Sequence, residues 1–206
     1  MPTKAAPPLV QAVERYYTDK AARHGATPAG ADWSSGRTQQ VRFEQLLSAC
    51  PRRGGFSLND FGCGYGALLD TLAFHPAATE IDYLGIDVSQ AMIELARGRY
   101  PNAAFVRAAS VPRTADYTVA SGVFNVKLSV PLSKWTAYVA SALSELFAAT
   151  QVGLAVNFLS PSQERSITEL YRPDPQDWTE YFTGRGARVE LLAGYGLPEY
   201  TLVIRR

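Results

Sequence analysis

The stretch Ser57-Leu-Asn-Asp60-Phe-Gly62-Cys-Gly64-Tyr-Gly66-Ala-Leu-Leu69 predicts the fold of this chain more directly than any other part of its sequence. A short strand-like run ends in an acid, passes through three alternating glycines and enters an apolar helical pattern. Glycines at a strand-to-helix turn let the backbone approach a ligand closely, because a Cβ would collide with it. The N-terminus of the following helix offers unpaired N–H groups to a polar ligand.

A second strand-like run, Tyr83-Leu-Gly-Ile-Asp87, ends in another acid. In a parallel sheet this acid would lie beside the glycine turn, where it could accept hydrogen bonds from both hydroxyls of a ribose. Together the glycine turn and Asp87 predict a binding site for a nucleoside cofactor.

The glycine spacing, with Asp60 two residues before Gly62, resembles motif I of the class I S-adenosylmethionine-dependent methyltransferases, and Asp87 matches their ribose-binding acid. The dinucleotide fingerprint is also satisfied, by Gly62, Gly64 and Ala67. The resulting alternative, an NAD(P)-dependent oxidoreductase, is disfavoured by Asp60, because a carboxylate repels a pyrophosphate and attracts a sulfonium or ammonium group. Another alternative, a non-catalytic module that binds S-adenosylmethionine, is disfavoured by the intact glycines and Asp87.

The composition is that of one folded domain. Hydrophobic residues make up 47% of the 206 residues, and the net charge of +1 gives no field that would recruit nucleic acid. Cys50 and Cys63 are too few for a disulfide framework, no apolar run approaches membrane-spanning length, and residues 1–8 lack a signal-peptide core. We expect a cytoplasmic protein that binds neither nucleic acid nor a membrane. The sequence leaves open whether the protein forms a homodimer.

Hydrophobic periodicity predicts a Rossmann-like α/β fold. An N-terminal helical cap (1–54), with helices over about 9–22 and 38–50, precedes a core over 55–206. The predicted core strands are 56–61, 83–87, 103–108, 117–124, 152–159, 187–193 and 199–205, and the helices are about 66–74, 90–99, 133–149 and 174–184. The turn 194–198 has no room for a crossover helix, so the last two strands must pair antiparallel. The resemblance, which covers 55–206, implies a seven-stranded, mostly parallel sheet of order 3-2-1-4-5-7-6 with helices on both faces.

The resemblance to the methyltransferases also implies a set of cofactor contacts. Asp87 would hold the ribose, and Asp60 would order the glycine loop near the methionine end of the cofactor. Many members carry an acid after the third strand for the adenine amino group; this chain has none, so Ser110 or a backbone carbonyl would replace it. Arg42 would pair with the methionine carboxylate. The expected cofactor residues are Arg42, Asp60, Gly62, Cys63, Gly64, Gly66, Asp87, Val88, Ser110 and Ser121.

Two residues of the cap, His24 and Tyr17, are the candidate catalytic residues. An unperturbed histidine pKa of about 6.5 suits a general base, and cap residues can fold over the sheet edge where ligands bind. After the fourth strand no acid occurs before Glu145, so we expect no metal site. The motifs of nucleobase and protein-arginine methyltransferases are missing from 121–136, and the resemblance therefore implies a small-molecule acceptor methylated on O or N.

Overall fold

A computed structural model describes residues 8–161 and 169–206. In that part of the chain the strands are β1 (Phe56–Phe61), β2 (Ile81–Asp87), β3 (Ala104–Arg107), β4 (Ala115–Ala120), β5 (Thr150–Leu159), β6 (Arg188–Ala193) and β7 (Glu199–Arg205). They form one seven-stranded sheet of order β3-β2-β1-β4-β5-β7-β6. The strands from β1 to β5 pair in parallel, whereas β7 runs antiparallel to both β5 and β6. The predicted fold class is confirmed, including the reversed terminal hairpin.

The helices of the same residues are α1 (Pro8–His24), α2 (Gly36–Leu47), α3 (Leu68–Leu72), α4 (Gln90–Arg99), α5 (Leu132–Ala148) and α6 (Pro175–Thr183), with a 3-10 turn at Pro28–Ala31. Serine side chains fix two of the helix starts. Ser35 Oγ accepts the Thr38 N–H before α2, and Ser89 Oγ accepts the Met92 N–H before α4. Such caps satisfy N–H groups that the first helical turn leaves unpaired. None of the helices within 8–161 and 169–206 combines the length and hydropathy that a membrane span requires.

The core lies on both faces of the sheet, as a mostly parallel sheet requires. One apolar cluster packs α2 and α4 against β1 and β2, with Leu46 and Ile93 fully buried. The other cluster packs α5 and α6 against β5 and β7, with Trp135 and Phe182 at its centre. Because both faces are covered, polar ligands can reach the sheet only at its ends. The carboxyl ends of β1, β2 and β4 meet at one such edge.

The sequence predicts β1, α4 and β7 with the bounds that the structure shows, but the prediction for β4 is wrong at its end. The predicted strand 117–124 stops at Ala120. Gly122 has a φ of 69°, so the chain leaves the sheet directly after β4. The apolar Phe124 is buried outside the sheet, where its carbonyl accepts the Trp135 Nε1–H at 3.0 Å. Its hydrophobicity therefore reflects packing against α5 rather than a continued strand.

Candidate functional site

A cleft of about 980 Å³, including its opening to solvent, lies at the carboxyl ends of β1, β2 and β4. Loops after these strands and after β3 form its floor, and α1, the segment before α2, α2, α4 and α5 form its walls. The floor residues are Asp60–Tyr65, Ile86–Ser89, Ala108 and Ser121–Val123, and the wall residues include Val10, Val13, Glu14, Tyr17, Ala31, Trp33, Gln39, Phe43, Met92, Trp135 and Tyr138. This is the crevice in which open α/β sheets bind their ligands.

Glycines with positive φ shape the loop after β1. Gly62, Gly64 and Gly66 have φ angles of 76°, 53° and 79°. A Cβ on Gly62 would overlap Val123 in the loop after β4, while the Gly62 N–H donates to the Ile86 carbonyl of β2 at 2.7 Å. The loop is therefore held against both neighbouring strands, and its backbone forms the floor of the cleft.

Asp87, at the end of β2, holds this loop in place through hydrogen bonds. Its Oδ2 accepts the Gly64 N–H at 2.9 Å, and its Oδ1 accepts the Ser89 N–H at 2.8 Å. Burial raises the pKa of Asp87, and the hydrogen bonds from Ser89 and Gly64 oppose that rise. Each carboxylate oxygen keeps lone-pair capacity beyond its backbone bond, so Asp87 can also accept hydrogen bonds from a ligand in the cleft.

Asp60 lies deeper, at the end of β1, with 3% of its surface exposed. The Tyr83 hydroxyl donates to Asp60 Oδ2 at 2.8 Å. Burial raises the pKa of Asp60 to about 7, the hydrogen bond from Tyr83 lowers it, and the charge of Asp87 raises it further. A positive group entering the cleft would favour the ionised form of Asp60.

Aromatic and branched side chains line the half of the cleft beyond the glycine loop. Val13 and Tyr17 come from α1, Trp33 precedes α2, and Trp135 and Tyr138 lie one turn apart on α5 with ring centroids separated by 5.3 Å. Burial raises the pKa of Tyr17, and it raises the pKa of Tyr138 to about 12. Both hydroxyls therefore stay protonated at neutral pH and can donate and accept hydrogen bonds.

A buried chain of polar groups supports this half from behind. Arg42 Nε donates to Glu199 Oε2 at 2.7 Å, and Arg42 Nη2 pairs with the other carboxylate oxygen. Asn157 Nδ2 donates to Glu199 at 2.9 Å, and Asn157 Oδ1 accepts the Gly122 N–H at 2.7 Å. The guanidinium carbon of Arg42 lies 4.1 Å from the centroid of the Trp33 ring. These bonds link α2, β7, β5 and the loop after β4, and they fix both Trp33 and Gly122.

Most residues predicted from sequence to contact a cofactor or acceptor come together at the cleft. The predicted residues that line it are Tyr17, Asp60, Gly62, Cys63, Gly64, Asp87, Val88 and Ser121. Burial raises the pKa of the Cys63 thiol well above its ordinary value, so it serves as a packed side chain.

Four predicted residues lie outside the cleft lining. Gly66 faces the rings of Phe105 and Tyr100, and His24 and Ser110 are exposed. The structure also gives Arg42 a partner other than the expected cofactor carboxylate, because the buried Glu199 requires a cation. His24, at the end of α1, does not line the cleft.

The sequence interpretation missed Trp135 and Tyr138. Both lie in the first two turns of the helix that follows β4, and their spacing of three residues places them on one helix face. A helix that starts at the carboxyl edge of the sheet presents its first turns to the crevice, and this signal could have found them. The described residues contain no group of three histidines, cysteines or acids that could hold a metal ion.

The chain is similar to several known proteins. A family described as a methyltransferase domain matches residues 59–153. The Mycobacterium tuberculosis protein Rv1506c, named as a methyltransferase, is 42% identical over 157 residues, which cover 73% of this chain and 93% of that protein. A trans-aconitate 2-methyltransferase of Afipia carboxidovorans is 33% identical over 106 residues, 46% of this chain and 40% of that protein. Human N-acetylserotonin methyltransferase in complex with S-adenosylmethionine shares the fold with a TM-score of 0.62 at 15% identity, covering 98% of this chain and 60% of that one.

The sheet order and the reversed hairpin define a Rossmann-like methyltransferase fold. The domain match and the identity to the mycobacterial protein then show the family: the chain belongs to the class I S-adenosylmethionine-dependent methyltransferases. Of the alternatives that the glycine motif left open, the NAD(P)-dependent oxidoreductase is thereby ruled out.

Proposed function

We propose that this protein transfers a methyl group from S-adenosylmethionine to an oxygen or nitrogen atom of a small molecule. The cofactor would lie over the loop after β1, and the acceptor would lie between α1 and α5. The observation that carries this proposal is that one cleft holds the glycine loop, the acid Asp87 and an aromatic wall from separate elements.

The half of the cleft between β1 and β3 fits the cofactor. Asp87 would accept hydrogen bonds from the ribose hydroxyls, and Val88 and Ala108 offer apolar surface to a flat adenine. Ser121 Oγ is buried without a hydrogen-bond partner, and a polar ligand on the floor of the cleft would satisfy it. Asp60 would attract the positive amino acid end of the cofactor.

When bound, S-adenosylmethionine supplies an electrophilic methyl carbon, to which the acceptor's lone pair bonds while the electron pair of the broken carbon–sulfur bond stays on sulfur. The protein contributes position: such orientation can supply on the order of 7–11 kcal/mol of the barrier. Tyr17 and Tyr138 would hold the acceptor by hydrogen bonds and exclude water from it. Glu14, which lines the cleft and pairs with Arg107 at 2.8 Å, would take the proton that the acceptor releases.

The names of the relatives point to different acceptors. One is named for N-acetylserotonin and another for trans-aconitate, so they give no common acceptor class. Support for a small molecule comes from the cleft itself. It lies between α1 and α5 and is lined mainly by apolar and aromatic side chains, which suit a compact and largely apolar ligand.

Thermal unfolding with S-adenosylhomocysteine, and with NADH as a parallel control, tests the cofactor part of the proposal. A ligand at about 100 times its dissociation constant stabilises the fold by about 2.7 kcal/mol, which raises the Tm by several degrees. We expect the Tm to rise with S-adenosylhomocysteine and not with NADH. No rise, or a rise with NADH only, would contradict the proposal.

A further inference from the structure

We propose that the acceptor is an uncharged or positively charged aromatic molecule that is methylated on a phenolic hydroxyl or an amino group, and that the half of the cleft between α1 and α5 rejects acceptors that carry a carboxylate, sulfonate or phosphate. This inference rests on the proposed function and deepens it by naming the acceptor class. It follows from the charges and the ring faces of the cleft walls.

The lining of the cleft contains acids but no cationic side chain among the described residues. Among residues 8–161 and 169–206, the carboxylates that line it are those of Glu14, Asp60 and Asp87, and no lysine, arginine or histidine does so. An anionic acceptor would lose its hydration on entering the cleft and would gain no cationic partner there. None of these acids could bind an anion, whereas a carboxylate can accept hydrogen bonds from an ammonium group.

Three arginines contact lining residues, and all three are already paired. Arg99 donates to the Tyr65 carbonyl at 3.4 Å and pairs with Asp70 at 2.9 Å. Arg42 is 6% exposed, pairs with Glu199 and lies behind the ring of Trp33. Its Nη1 has no hydrogen-bond partner, yet Arg42 is not part of the cleft wall. Arg107 donates to Glu14 and to the Val88 carbonyl, at 2.8 and 3.0 Å. An acceptor carboxylate would have to displace these partners before it could bind an arginine. To reach Arg42 it would also have to displace the indole of Trp33.

The walls offer ring faces instead. Tyr17 on α1 and the pair Trp135 and Tyr138 on α5 line the cleft together with Trp33. Aromatic rings pack against one another in offset or edge arrangements, and their faces attract cations. The neutral tyrosine hydroxyls can hydrogen-bond to a phenol or an amine without placing a charge beside it.

A matched pair of fluorescent probes tests the acceptor class. 1-Anilinonaphthalene is an uncharged aromatic amine, and 8-anilinonaphthalene-1-sulfonate is the same molecule with an added sulfonate. Each is titrated into the full chain in the presence of saturating S-adenosylhomocysteine, and the rise in fluorescence gives its Kd. We expect the uncharged probe to bind at least about tenfold more tightly. Equal or tighter binding of the sulfonate, or no binding of either probe, overturns the inference.

Variants of α1 locate the selectivity. Val13→Arg puts a cation on the cleft wall and should reduce the tenfold preference to less than about twofold. Leu132→Arg, at a 60% exposed position at the start of α5, is the matched control and should leave the preference unchanged. Glu14→Gln removes an acid without adding volume and should strengthen only the binding of the sulfonate. A folded Val13→Arg or Glu14→Gln variant with the wild-type preference overturns the inference.

The binding of S-adenosylhomocysteine to the wild type separates the two proposals. If it does not bind, the proposed function fails. If S-adenosylhomocysteine binds and the sulfonate probe binds as tightly as the uncharged one, only the inference about the acceptor class is wrong.

Discussion

The half of the cleft at the ends of β1 and β2 is made of backbone amides and acids, whereas the half between α1 and α5 is made of rings. In the first half, Gly64 and Ser89 donate to the two oxygens of Asp87, and all three belong to the single strand–helix–strand unit from β1 through α3 to β2 and the residues directly after it. In the second half, Trp33 and Trp135 come from elements far apart in the chain. The first half is therefore set by local hydrogen bonds, and the second depends on packing and on the buried ion pair behind it.

The largest expected effect concerns the ion pair that supports the aromatic half. Arg42→Met leaves the carboxylate of Glu199, which is 2% exposed, buried without its cation. Removing one partner of a buried pair costs about 3–5 kcal/mol. We expect a loss of that size in the free energy of unfolding, measured by urea denaturation.

A second substitution and a surface pair serve as controls. Glu199→Gln in the Arg42→Met background removes the unpaired charge and should recover more than half of the loss. Lys20→Met breaks a pair with Asp32 in which both side chains are partly exposed, and it should cost less than about 1 kcal/mol. Equal losses for Arg42→Met and Lys20→Met would show that the buried network is not what holds the aromatic half in place.

The next effect is a pH dependence from Asp60 in the first half. Its pKa is about 7 in the fold and 3.8 as the ordinary value, so between these values the unfolded chain ionises while the folded one keeps the proton. The contribution of Asp60 to the free energy of unfolding is therefore largest at low pH. It falls as the pH rises from 3.8 to about 7, and above that pH it no longer changes. From pH 5 to pH 8 we expect the wild type to lose about 2–3 kcal/mol relative to Asp60→Asn in urea denaturation.

Asp116 provides a control of opposite sign. Hydrogen bonds from Ser57 lower its pKa, so its contribution to stability is present above the ordinary pKa and is lost as the pH falls. Asp116→Asn should therefore destabilise the protein equally at pH 5 and pH 8. A wild-type curve parallel to that of Asp60→Asn would mean that Asp60 is ionised in the ligand-free fold.

Asp87→Ala tests the local hydrogen bonds of the first half. The substitution removes the acceptor of the Gly64 and Ser89 N–H groups and the expected partner of the ribose. Hydrogen bonds to a charged group contribute about 1.5–3 kcal/mol, so S-adenosylhomocysteine should bind about 30-fold more weakly by calorimetry. Asp82→Ala, on the same strand with a side chain 69% exposed, should bind as the wild type does. Matching affinities for the two variants would remove Asp87 from the cofactor site.

The two halves also differ in how well the sequence predicts them. The glycine spacing and the two strand-end acids predicted the first half because neighbouring parallel strands bring their ends together, and Asp60, Gly62 and Asp87 do line one cleft. The seven-strand topology followed from strand periodicity, the 194–198 turn and the family resemblance.

Side-chain partners could not be predicted in the same way. Arg42 was placed on the correct helix, but its buried partner Glu199 is 157 positions away, and a sequence pattern does not indicate which carboxylate is buried near a given cation. Trp135 and Tyr138 have the spacing of ordinary core residues. Only the turn at Gly122, which ends β4 early, brings the loop after that strand and the start of α5 to the cleft.

The smallest expected effect lies at Ser121, where the two halves meet. Its hydroxyl is buried and unpaired in the ligand-free protein, so Ser121→Ala removes a polar group that gains nothing from burial. The free energy of unfolding should stay equal or rise by up to about 1 kcal/mol, while S-adenosylhomocysteine binds about three- to tenfold more weakly. In Ser57→Ala, the control, the lost hydroxyl pairs with Asp116 at 2.7 Å, so stability should fall and binding should not change. Opposite signs for stability and binding at Ser121 would identify its hydroxyl as a group kept for the ligand, and a loss of stability there would show a structural role instead.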